Sequence, residues 1–84
     1  MRADKFLKVS RLIKRRAVAK DACLQGRITI NGKTAKAGSE VSVGDVIVIQ
    51  FGSGPLSAKV LTLSESVRKD DAAAMYEILG PIQT

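Results

Sequence analysis

The 84-residue chain contains no histidine and no tryptophan, a single cysteine and two prolines, and its only aromatic residues are Phe6, Phe51 and Tyr76. One cysteine, Cys23, excludes a disulfide framework, and without histidine a zinc site lacks its usual mix of nitrogen and sulfur ligands. Cys23 reads as a small buried hydrophobe in a reducing cytoplasm. No apolar run approaches membrane-spanning length, and the opening "MRADKFLK" has charges where a signal peptide needs its apolar stretch. The expectation is a soluble cytoplasmic protein with no membrane partner. The sequence also lacks a nucleophile paired with a base, a metal-ligand cluster and a glycine-rich phosphate loop, so it predicts neither an enzyme nor a cofactor. With no internal repeat, low-complexity tract or long linker, it reads as one domain over residues 1–84, of a size that supports a modest core.

Acid is scarce in one half only. Residues 1–36 carry eleven Lys/Arg against Asp4 and Asp21, a net +9, whereas residues 37–84 carry three against six, a net −3. Solubility is served by mixed signs, and a one-sided cationic half is what a polyanionic partner requires. The densest stretch, "KVSRLIKRRAVAK" from Lys8 to Lys20, has six cations and no acid, yet apolar residues run through it at near-helical spacing.

That spacing predicts a first helix in "RADKFLKVSRLI", with Phe6, Val9 and Ile13 on one face and Lys8 and Arg11 opposite. A second helix is expected in "RRAVAKDACLQG", where Val18, Ala19, Ala22 and Cys23 form the apolar stripe and Gly26 ends it. Arg16 and Lys20, four apart, share its outward side. After Gly26 the period becomes alternating. "RITINGKTAKAG" reads as a hairpin turning at Asn31-Gly32, which suits positive φ at both central positions. Val41 and Val43 precede a turn at Gly44-Asp45, and Val46 to Phe51 forms a strand covered on at least one face. "GSGPL" breaks it, "LSAKVLTL" supplies a further strand, and "KDDAAAMYEIL" looks helical, with Asp70 and Asp71 near its positive end. The fold class is α+β: two N-terminal helices on a small, mostly antiparallel sheet, with a strand and short helix over 56–79. Asp4, four residues before Lys8, reads as an ion-pair partner that orients the basic face.

The order of "RADKFL", "SRLIKRRAVAKDACLQGRITINGKTAK" and "VGDVI" resembles the S4 RNA-binding domain over about residues 2–51. The opening "MRADKFLKVSRLIKRR" and the terminal "AAAMYEIL" extend the resemblance, nearly end to end, to stand-alone S4 proteins of bacterial ribosome-associated quality control. Ala3 departs from that pattern, which usually has leucine there. The resemblance implies a factor that binds the large ribosomal subunit carrying an obstructed peptidyl-tRNA. It implies contacts with ribosomal RNA and tRNA, and assistance to RqcH in adding alanine tails to the stalled chain. Alternatives within reach are a heat-shock-type S4 factor that recycles stalled large subunits, and a general structured-RNA binder. From a different class comes a peripheral protein on anionic membrane, which needs large exposed apolar groups beside the basic face.

The RNA-binding candidates are Arg2, Lys5, Lys8, Arg11, Lys14, Arg15, Arg16 and Lys20, with Arg27 and Lys33 extending the surface. Arg2, Arg11, Arg15 and Arg16 rank first, because a guanidinium forks two hydrogen bonds onto phosphate or stacks on a base, while an ammonium acts as a point charge. With so few aromatics, recognition should be of shape and backbone. A monomer is the default for a small adaptor.

Overall fold

The computed structural model describes residues 1–63 and 72–80. Two short helices, α1 (Ala3–Val9) and α2 (Arg16–Leu24), precede β1 (Ile28–Ile30), β2 (Lys33–Thr34), β3 (Val46–Phe51) and β4 (Gly54–Val60). A single 3-10 turn at Ala72–Met75 leads into β5 (Tyr76–Gly80). The strands form one antiparallel sheet in the order β2-β1-β3-β4-β5.

Alternation on the sheet sets the core. Ile28 pairs with Ile49 and Ile30 with Ile47 across β1 and β3, and Ile28, Ile47 and Ile49 are buried. Phe6 and Leu7 of α1, Ala19 and Cys23 of α2, Val41, Val60 and Met75 join them. Each large side chain buried in this way contributes about 1.5–3 kcal/mol relative to exposure.

The first helix is shorter than its periodicity suggests. It stops at Ser10, and Arg11 takes a left-handed conformation with φ of 62°. Apolar spacing continues through Ile13, but that residue reaches the core from a loop: the turn at Arg11 carries the chain back, and the Ile13 N–H donates to the Leu7 carbonyl at 3.0 Å. The buried Ser10 hydroxyl donates to the same carbonyl at 3.3 Å, so no polar group is stranded at the break. At the other end of α1, the amides of Ala3 and Asp4 donate to the carbonyls of Ser39 and Ala37 at 2.8 and 3.1 Å. Segment 37–39 thereby satisfies donors that every helix start leaves open.

The second helix ends where glycine predicts. Gly26 has φ of 73°, its N–H donates to the Cys23 carbonyl, and the Arg27 N–H donates to that of Ala22. These two bonds make a Schellman motif. The stripe needs one correction. Val18 is 52% exposed, whereas Ala19 and Cys23 are buried and Ala22 half-buried, so a nine-residue helix lying on the sheet buries a narrower face than its spacing allows.

The Asn31-Gly32 turn has positive φ at both residues, 52° and 83°, and sets the expected register of Ile30 opposite Lys33. The Asn31 side chain adds a tie to β3: its Nδ2 donates to Asp45 Oδ1 at 3.0 Å and its Oδ1 accepts the Val46 N–H at 2.9 Å. Val41 is buried, but Val43 is exposed at the following turn. The glycine-rich break narrows to a two-residue hairpin between Phe51 and Gly54, with Pro55 already inside β4.

The expected C-terminal helix is not found among the described residues. Residues 72–75 make one 3-10 turn, and 76–80 pair with β4, Val60 opposite Tyr76 and Ala58 opposite Ile78, with a register shift at Ser57/Ala58. The alanines favour a helix, but the free hydrogen-bonding edge of β4 offers Tyr76 to Gly80 a ladder, and tertiary pairing overrides local propensity. Asp70 and Asp71 lie outside the described residues.

Candidate nucleic-acid interface

Asp4 is the buried centre of the basic face, with only 2% of its surface exposed. Arg2 donates from Nε to its Oδ1 at 3.2 Å, and Arg16, from the start of the other helix, donates from Nε to its Oδ2 at 3.3 Å. The Lys5 N–H adds a bond to Oδ1 at 2.8 Å. Asp4 therefore orients the basic face as expected, but its partners are Arg2 and Arg16 rather than Lys8, because the carboxylate points into the seam between α1 and α2. Burial pushes its pKa up. The hydrogen bond and charge of Arg16, the charge of Arg2 and the Lys5 N–H outweigh that, and the carboxyl lies below its ordinary value of 3.8.

Both arginine side chains are about half exposed. Because Asp4 takes the Nε–H of each, their terminal Nη groups remain to meet phosphate or a base edge. Buried charge at the root and exposed donors at the tip hold the two arginines side by side. Cys23 sits under the same seam: burial, with the Asp4 charge, raises its thiol pKa. A buried thiol held neutral is a packing residue.

The other candidates are distributed around this pair. Lys8 is exposed on α1 and Lys5 half-buried one turn earlier, while Lys20 stands exposed one turn beyond Arg16 on α2. Arg15 is the exposed residue just before α2, and Arg11 projects from the left-handed turn between the helices. A non-glycine residue in that conformation costs about 1–2 kcal/mol, which the buried Ile13 and Ser10 on either side offset. Lys14 and Arg27 line one cavity together. Lys33 is on β2 at the outer edge of the sheet and makes no ion pair among the described residues. Sequence reasoning missed Lys36, which lines an open groove of about 540 Å³ with Cys23, Leu24 and Gly38. Its charge was countable, but no helical period assigned it a face.

Among the described residues no group of His, Cys, Asp or Glu could hold a metal ion, and no helix is long and apolar enough to cross a membrane.

Residues 1–47 match the model of the S4 domain. Over 78 residues the chain is 55% identical to the RQC P-site tRNA stabilizing factor of Halalkalibacterium halodurans, covering 93% of this chain and 89% of that one. The chain belongs to the S4 domain family, in the RqcP group of RQC P-site tRNA stabilizing factors. Two solved structures share the fold of this S4 protein. The trimeric heat shock protein 15 of Vibrio cholerae superposes with a TM-score of 0.86 at 26% identity, covering 93% of this chain and 80% of that one. The solution structure of the hypothetical protein HP1423 gives 0.79 at 35% identity, covering 93% and 95%. The S4 match spans α1, α2, β1, β2 and the start of β3, and so contains all ten candidate cations.

Proposed function

We propose that this RqcP-group chain is a non-catalytic RNA-binding factor of ribosome-associated quality control. It binds the large ribosomal subunit carrying an obstructed peptidyl-tRNA, contacts ribosomal RNA and the P-site tRNA through its basic face, and assists RqcH-driven alanine tailing. The observation that carries the reading is the Asp4 seam, which presents Arg2 and Arg16 from two helices as one fixed pair. Relatives named as P-site tRNA stabilizing factors support the choice of RNA.

The physical work is bracing. A guanidinium pair already held in place loses little side-chain entropy on docking, so more of the contact energy remains as affinity. Phosphates of two RNA elements held against one rigid face are held against each other. Ribosomal RNA and tRNA then keep the geometry that the next addition of alanine needs, without any bond being made or broken by the protein. Recognition rests on backbone and shape, as expected of a surface rich in cations and poor in aromatics. The protein acts as a single domain over residues 1–84, and as a monomer.

Arg16→Glu reverses one charge of the pair at a half-exposed position. Its expected effect is loss of co-pelleting with purified large subunits at physiological salt, with an unchanged circular dichroism spectrum. Wild-type co-pelleting by the folded variant would contradict the assignment of this face.

A further inference from the structure

A cavity of about 280 Å³ opens where the loop between the helices, the side of α2 and the end of β3 meet. Its apolar wall includes Leu12, Val18 and Phe51, and its polar lining is Lys14, Arg27 and Gln50. Two of these apolar groups are not used up by the core: Val18 is 52% exposed and Phe51 38%. Among the described residues no acidic side chain lines the space. The Gln50 N–H donates to the Arg27 carbonyl at 2.9 Å, which fixes the strand end bearing Phe51 to the turn that closes α2. Both sides of the cavity are thus set before anything enters it.

We propose that this cavity receives the base of one unpaired nucleotide of the bound RNA. The inference rests on the RNA-binding reading and adds a second kind of contact to it. Phe51 and Val18 meet the face of the base, and Lys14 and Arg27 take the flanking phosphates. Charge selects the occupant. A second copy of this chain seated symmetrically would bring its own Lys14 and Arg27 against these, like charge on like. A membrane interface needs a broader apolar face than a cavity holding three exposed or half-exposed side chains. A nucleotide matches the pattern, apolar and flat in the middle and anionic at the rim. Lys14 at the rim also opens the cationic run Lys14-Arg15-Arg16 that leads into α2.

The test uses two RNA hairpins with the same number of nucleotides, one fully paired in its stem and one carrying a single bulged 2-aminopurine. At fixed salt the full chain should bind the bulged hairpin about tenfold more tightly, the scale of stacking one base on an aromatic side chain. Its 2-aminopurine emission should change on binding. Phe51→Ser, and independently Val18→Ser on the surface of α2, should reduce that preference to about unity. Equal affinity of the wild-type chain for both hairpins would overturn the cavity assignment while leaving the basic face standing. Failure to bind either hairpin would overturn the inference, and co-pelleting with large subunits would decide separately whether the RNA reading falls with it. Concentration-dependent self-association that Phe51→Ser abolishes would give the cavity to a second copy instead.

Discussion

Asp4 and Arg16 are twelve residues apart in the chain and 3.3 Å apart in the structure. This bond joins α1 to α2 at the surface where Arg2 also meets the carboxylate, so one acidic residue fixes the bearing of two cations. Asp4→Asn keeps the shape and removes the charge. Hydrogen bonds to a charged group contribute about 1.5–3 kcal/mol, and half-exposed arginines place this seam toward the lower end. We expect the variant to lose about 1–2 kcal/mol of stability in urea denaturation. Its affinity for large subunits should fall about tenfold as the arginines lose their bearing, since tenfold corresponds to ~1.4 kcal/mol. An Asn variant that binds as the wild type does would mean that the arginines find the RNA without being held.

The same carboxylate sets an acid dependence. Its folded-state pKa is depressed below 3.8, so its contribution is fully present above that value and is lost as pH falls below it through the folded pKa. The difference in urea midpoint between wild type and Asp4→Asn should be constant from pH 7 to about pH 5 and shrink below about pH 4. A difference that grows on acidification would reverse the assigned sign.

Binding through phosphates has a salt signature. With about five phosphates neutralised, log affinity should fall against log salt with a slope of about −4, and each arginine replaced by alanine should flatten it by about one. Filter binding of large subunits over a salt series measures this. A slope near zero would show that cationic contacts contribute little.

The turn at Gly26 predicts a change in stability without a change in site. A Cβ at Gly26 meets nothing within 4 Å, so the cost of Gly26→Ala comes from holding alanine at φ of 73°. That is about 1–2 kcal/mol. Thermal denaturation should move accordingly while the salt slope stays at its wild-type value.

Much of this architecture is legible in the residue pattern, and its gaps have physical causes. The change of period after Gly26 and the Asn31-Gly32 turn act locally, through backbone conformations that few residues favour, and both stand in the structure. The break after Ser10 carries no such mark. Arg11 enters the left-handed region only because Ile13 and Ser10 are drawn inward on either side of it. Tyr76 to Gly80 becomes a strand because the edge of β4 is there to pair with, a reason absent from the segment itself. Around Asp4, charge counting and order single out the arginines as candidates, whereas helical spacing pairs Asp4 with Lys8. Its real partners lie across a seam that exists only once both helices are packed. The helical period places Val18 inward, but it stands half exposed and lines, with Phe51, the cavity proposed to receive a nucleotide.

The most direct test of the central claim is sedimentation of the tagged protein from a cell lysate through a sucrose gradient, each fraction being probed for large subunits, small subunits and peptidyl-tRNA. The account predicts comigration with large subunits bearing peptidyl-tRNA. A position with small subunits, with free RNA or at the top of the gradient would contradict it.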